Sequence, residues 1–300
     1  MVLRLLTGIP LGFLAALIMA YPHAFGIPFQ FIALLPITLF TLRELQRLLG
    51  LLPQEKGGPQ SPFALWGSVA ALIFLWLVFD QRWTVLPIWM FVFLFGMLLA
   101  QLRRFPTAKP YFEEPMLVFA STCYVALGFG ALLQLSQMGQ GWIEHGLFRD
   151  GSFNPASSVP LMGTWGYDAC ALFAGRMTGA TPMVPLISPR KSWEGFVGGL
   201  AGVAAVMVVG TWWIWHRLRW DQPPMAILIG AAVLGLLLGT SSQLGDLVIS
   251  CIKRQAHVKD SATLIPYQGG MLDKADGLLV VIPMSLLVLY LLQDVIQHAV

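Results

Sequence analysis

Apolar runs of about twenty residues recur along the whole of this 300-residue chain, and no other feature limits its fold so strongly. A run of that length is what an α-helix needs to cross roughly 30 Å of hydrocarbon. Such runs lie at 5–21, 27–42, 61–79, 85–102, 115–135, 158–175, 195–215, 225–245 and 277–293. Hydrophobic residues make up 57% of the chain and charged ones only 11%, with a mean hydropathy of +0.72. Soluble globular proteins do not reach these values. The sequence therefore predicts an all-α, polytopic transmembrane protein of about nine helices. Arg4 ahead of the first run gives it the look of a signal peptide, but no small-residue cleavage site follows and eight more runs do.

Orientation follows from the basic residues. With the N-terminus in the cytoplasm and all nine runs spanning, one side holds Arg4, Arg43, Arg47, Lys56, Arg103, Arg104, Lys109, Arg176, Arg190, Lys191, Lys253, Arg254, Lys259 and Lys274. The other keeps Arg82, Arg149, Arg217 and Arg219. Fourteen against four is a strong positive-inside bias, and dropping one helix would scramble it. The expected organisation is an N-terminal transmembrane region over 1–157, with an outer loop at 136–157. A C-terminal region over 158–300 follows, with a site facing the cytoplasm.

Several features carry little chemistry. Cys123, Cys170 and Cys251 stand singly without C-x-x-C spacing and read as small buried residues. The Pro/Gly-rich 53–60 reads as a plain loop. Glu144, His145 and Asp150 read as parts of a solvated loop, and the charges near 44 and 113–114 as solvated helix ends.

The scarce charges gather in two C-terminal places. Asp168 sits within an apolar run, where an acid is costly and marks a functional or paired site by default. Gly175 and Arg176 follow it. In SPRKSWEGFVGG, Pro189 suits entry into a helix after Ser188, and Lys191 and Glu194 then share a helical face. Gly195, Gly198 and Gly199 offer a small-residue face for close helix packing. If the run from 225 continues as a helix past the membrane, Ser250, Lys253, Arg254 and His257 all fall within about 80° of Asp246. Lys259 and Asp260 come next, then Gly269 and Gly270, then Asp273 and Asp276, which share a face if helical. Carboxylates beside cations, with glycines that admit close backbone approach, suit a hydrated Mg²⁺ carrying phosphates. No G-x-x-x-x-G-K-[ST] loop is present. These residues describe a membrane enzyme handling a phosphorylated substrate on its cytoplasmic face.

The same residues resemble the phosphatidate cytidylyltransferases (CDP-diacylglycerol synthases). That family's S-x-x-K-R-x(4)-K-D signature, a spacer and P-x-H-G-G-x-x-D-R-x-D correspond here to Ser250, Lys253, Arg254, Lys259, Asp260, Pro266, Gly269, Gly270, Asp273 and Asp276. Upstream, Asp168, Ala171, Gly175 and Arg176 match, as do Ser188 to Gly195 and Gly245-Asp246-Leu247. The resemblance is clear over about 160–280, and it departs at Gln268 for His, Lys274 for Arg and Leu172 for an aromatic residue.

The resemblance implies transfer of a cytidylyl group from CTP to phosphatidate, giving CDP-diacylglycerol and pyrophosphate. It implies Asp246, Asp273 and Asp276 as ligands of a divalent ion, with Asp168 or Asp260 as a further one. Lys191, Lys253, Arg254, Lys259 and Asp260 become the catalytic candidates. Ser188, Glu194, Ser250, Gly269, Gly270 and Arg176 become substrate-binding ones. It also implies Mg²⁺ as cofactor, with a second cation left open, together with a homodimer in a bacterial inner membrane and lipids but no nucleic acid as partners. Two other readings compete. A transporter predicts mid-bilayer acids and inverted repeats, neither of which the sequence has. A diverged member using another lipid phosphate is motivated by Gln268 and Lys274.

Overall fold

A computed structural model describes residues 29–53, 61–103, 112–144, 154–178, 181–217, 225–264 and 269–291. Eight of the nine apolar runs are helical among these residues, and the run at 5–21 lies outside them. The helices are α1 (Phe29–Leu48), α2 (Ala64–Phe79), α3 (Val85–Arg103), α4 (Glu113–Glu144) and α5 (Pro155–Thr178). After a hairpin of β1 (Pro182–Val184) and β2 (Ser188–Ser192) come α6 (Trp193–Arg217), α7 (Met225–Gln255), α8 (Leu272–Ala275) and α9 (Leu278–Leu291). Five stretches are long and apolar enough to cross a membrane: Val85–Arg103, Glu113–Met138, Trp193–Trp213, Met225–Gln255 and Leu272–Leu291. Of the rest, α2 is 16 residues long, while α1 and α5 carry more polar side chains. Among the described residues, length and composition thus support five spans, and the count of nine is not confirmed.

The chain divides into two compact units. The first takes the described residues of 22–134 and 252–275. Its core gathers Leu51, Phe63, Met97 and Val118. Within it α3 buries only Met97 and Gln101 and leaves Phe91, Val92 and Phe95 exposed, as a helix facing hydrocarbon does. α1 differs, because its covered face includes Gln30, Thr38, Thr41, Glu44 and Gln46.

The second unit takes the described residues of 135–251 and 276–300. Tyr167, Val203, Met207, Leu234, Leu238 and Val281 form its core. α5 and α6 pack closely, since a Cβ on Gly199 would stand 2.6 Å from the Tyr167 ring and 2.8 Å from the Ala171 Cβ. The small-residue face expected at 195–199 is this contact. Asn154 starts α5, its Oδ1 accepting from Ser157 N–H at 3.2 Å while its Nδ2 donates to the Ser136 carbonyl at 2.7 Å.

Three local expectations are corrected. Residues 136–144 continue α4 and do not belong to a loop. Ser188–Ser192 is a strand, antiparallel to Pro182–Val184, and the helix starts at Trp193 with the Ser192 hydroxyl accepting from Gly195 N–H at 3.1 Å. Lys191 therefore lies on a strand, so it shares no helical face with Glu194. Finally, α7 ends at Gln255. His257 takes the left-handed conformation (φ 56°), and Val258 N–H donates to the Lys253 carbonyl at 2.9 Å while His257 N–H donates to that of Arg254 at 3.0 Å. This paired closure ends the helix and removes His257 from the charged stripe.

Candidate active site

In the second unit, the site residues are brought together by α5, the hairpin, α6 and α7. The hairpin holds Lys191 so that its Nζ meets Asp246 Oδ2 at 2.6 Å. One turn along α7, the Ser250 hydroxyl donates to Asp246 Oδ1 at 3.1 Å. Both carboxylate oxygens of Asp246 are thus engaged, one by a cation and one by a neutral donor. Asp168 on α5 lies within electrostatic range of both Asp246 and Lys191. Next to Asp168, the buried Tyr167 hydroxyl donates to Gln243 Oε1 at 2.9 Å and fixes α5 against α7. A Cβ on Gly245 would stand 2.6 Å from the Asp276 carbonyl oxygen, so α7 meets the 276–277 turn backbone to backbone.

The other predicted residues of this unit stand in several places. Asp276 follows the end of α8, so it does not share a helical face with Asp273; its Oδ1 accepts from Gly277 N–H at 2.7 Å. Glu194 opens α6 and accepts from Thr181 N–H at 3.3 Å. Ser188 begins β2, paired with Val184. Arg176 lies exposed in the last turn of α5.

The first unit builds a second cluster around Asp273. Lys253, near the end of α7, donates to Asp273 Oδ1 at 2.7 Å, with only 12% and 9% of the two side chains exposed. Asp273 Oδ2 accepts from Gly270 N–H at 2.9 Å, from Ser261 N–H at 2.8 Å and from the Ser261 hydroxyl at 2.9 Å. A carboxylate with four donors is well stabilised away from water. Gly269 has a φ of +91°, which disfavours any side chain, and a Cβ there would meet Asp273 Oδ2. A Cβ on Gly270 would meet the Glu44 carboxylate and the Ser261 hydroxyl. Arg254, Lys259, Asp260 and Lys274 are exposed. Pro266 and Gln268 lie outside the described residues.

Glu44 contradicts the expectation of a solvated helix end. It is buried, and it takes the backbone N–H groups of Met271 and Leu272 at 2.9 Å each and the Ser261 hydroxyl at 2.7 Å. Its sequence neighbours Arg43 and Arg47 give no hint of this. Ser261, in the spacer between the two halves of the signature, bridges both carboxylates. The sequence signal that could have found Glu44 is a lone acid just past an apolar run.

Among the described residues no three His, Cys, Asp or Glu side chains gather as a metal group. Two carboxylates in one unit, Asp168 and Asp246, fit the way Mg²⁺ usually binds, through one or two protein carboxylates with substrate phosphates completing the shell.

Helical architecture with apolar, membrane-length helices defines an integral membrane protein, and each of its two units carries a lysine–carboxylate pair. The chain belongs to the cytidylyltransferase family, whose model matches residues 2–292. It is 32% identical over 243 residues to a phosphatidate cytidylyltransferase of Mycobacterium bovis, covering 79% of this chain and 70% of that protein. A Brucella suis protein of the same name is 36% identical over 165 residues, or 49% and 57% of the two chains. A Haemophilus influenzae one is 31% identical over 229 residues, or 72% and 75%. The protein is accordingly a nucleotidyltransferase.

Proposed function

We propose that the protein transfers the cytidylyl group of CTP to phosphatidate, giving CDP-diacylglycerol and pyrophosphate, at the cytoplasmic membrane interface. The observation that carries this reading is that two signature lysines are each held against a signature carboxylate, Lys191 on Asp246 and Lys253 on Asp273. Ammonium groups fixed in this way are ready to turn toward phosphate oxygens. The names of the relatives support the substrate pair.

The lipid phosphate attacks the α-phosphorus of CTP. A new P–O bond forms, the α–β phosphoanhydride bond breaks, and its electron pair leaves with pyrophosphate. The attacking phosphate is already anionic near neutral pH and needs little general-base help, so catalysis is positioning and charge stabilisation. Lys191, Lys253, Arg254 and Lys259 stabilise charge on the leaving pyrophosphate, while Ser188, Glu194, Ser250, Arg176 and the 269–270 backbone orient the substrates. A hydrated Mg²⁺, when bound, supplies neutralisation of the nucleotide phosphates. Asp246 and Asp168 are its proposed holders, with Asp276 and Asp260 as further candidates. Asp273, held by Lys253 in the other unit, is the further carboxylate that the resemblance offers.

The test is CTP- and Mg²⁺-dependent conversion of labelled phosphatidate by purified protein, run beside other lipid phosphates and the other nucleotides. Absence of turnover in the wild type, or full turnover in Asp273→Asn, sinks the reading. Preference for a different lipid phosphate moves it to the diverged member that Gln268 and Lys274 motivate.

A further inference from the structure

Glu44 lies outside the signature, on a helix 227 residues before the loop it binds. Burying a carboxylate is costly unless hydrogen bonds replace its water. Here three donors supply the replacement, the Met271 and Leu272 N–H groups and the Ser261 hydroxyl. Met271 and Leu272 N–H, donors at the entry to α8 that have no partner within the helix, both end on Glu44. The Ser261 hydroxyl stands 2.7 Å from Glu44 Oε2 and 2.9 Å from Asp273 Oδ2. A hydroxyl has a single proton, so it donates to one of these carboxylates at a time, and each senses the other through it. Gly270 leaves the room that this arrangement fills.

We infer that Glu44 is a positioning residue for the cytidylyl transfer proposed above. It fixes Ser261 and the backbone at 271–272, and with them the Asp273 carboxylate that holds Lys253. The role rests on that proposal, whereas the hydrogen bonds do not. The hydrogen bonds of Glu44 go to Ser261 and to the backbone at 271–272, so it acts through Asp273 and that backbone.

Glu44→Gln is the discriminating variant. An amide offers one acceptor oxygen and turns an N–H toward donors, so it cannot serve both Met271 and Leu272. The expected result is a kcat lower by about 10–100-fold, the cost of a shift near 1 Å at the reacting groups, with KM for CTP within about twofold on the same basis. Amide hydrogen exchange at 270–273, read without substrate, speeds up while α5 and α6 keep their protection. Glu44→Asp, which keeps two acceptor oxygens, recovers part of the lost kcat. Wild-type kcat in Glu44→Gln overturns the inference, as does exchange that rises evenly along the chain. Should Glu44→Gln fail to fold, Ser261→Ala removes the bridging hydroxyl alone and is read in the same way. If the wild type itself turns over no CTP, the proposed function fails, and local exchange still decides whether Glu44 holds the loop.

Discussion

Two lysine–carboxylate pairs of similar length have different surroundings, and that difference sets what mutation does to each. The Lys253–Asp273 pair is nearly closed off, while the side chains of Lys191 and Asp246 are 19% and 37% exposed. Lys253→Met strands a buried carboxylate, and thermal unfolding in detergent should show a loss of about 3 kcal/mol. Lys191→Met leaves Asp246 in contact with water and Ser250, so the same measurement should show about 1 kcal/mol or less. Activity should fall in both by about 10²–10³-fold, as when a preorganised charge-stabilising donor is removed. A stable but inactive Lys191→Met therefore separates chemistry from folding. At this scale the sequence was most informative about residue type. Lys191, Asp246, Lys253 and Asp273 stood out because charge is rare in this chain. Which lysine meets which acid was hidden, since Lys191 turns from its sequence neighbour Glu194 to a partner 55 positions on. Glu44 was hidden for the same reason, because its burial depends on donors more than 200 positions away.

Helices were legible as elements because each apolar run is near the length the bilayer sets. The hairpin was not. S-P-R-K-S has no alternation of apolar and polar residues, and its proline suggested a helix start. The end of α7 was equally obscure, because His257 occupies the place where glycine usually signals a helix stop. Contact between α5 and α6 gives a sharp prediction at this scale. Gly199→Leu forces a side chain into the Tyr167 ring and should cost about 1–3 kcal/mol in detergent unfolding. Gly230→Ala on α7, where nothing lies within 4 Å of the new methyl, should be neutral or stabilise by up to about 1 kcal/mol. Equal effects at the two positions would mean that α5 and α6 are not packed as described.

For the whole molecule, the sequence speaks through the distribution of Lys and Arg, which no single helix reveals. If the fourteen basic residues mark the cytoplasmic side, position 259 faces the cytoplasm and position 82 the opposite side. In a cysteine-free background, Lys259→Cys should react with a membrane-impermeant thiol reagent only from the cytoplasmic face of vesicles. Arg82→Cys should react only from the other face. The reverse pattern, or labelling of both from one side, refutes the orientation. The exposed large apolar side chains, among them Leu65, Ile88, Phe91, Val197 and Val209, belong to the same picture, as a lipid-facing surface needs no cover.

The reach from Glu44 to Met271 also has a consequence in time. Ribosomes add roughly 5–20 residues per second, so the 227 positions between acid and amide take about 10–45 s to make. Through that interval the carboxylate has been synthesised and its hydrogen-bond donors have not. Arg43 and Arg47 stand on either side of it, and cations near a helix end favour the membrane surface over its interior. The contact can therefore form only once those 227 further positions have been made, so the Asp273 loop end docks onto a helix synthesised long before it.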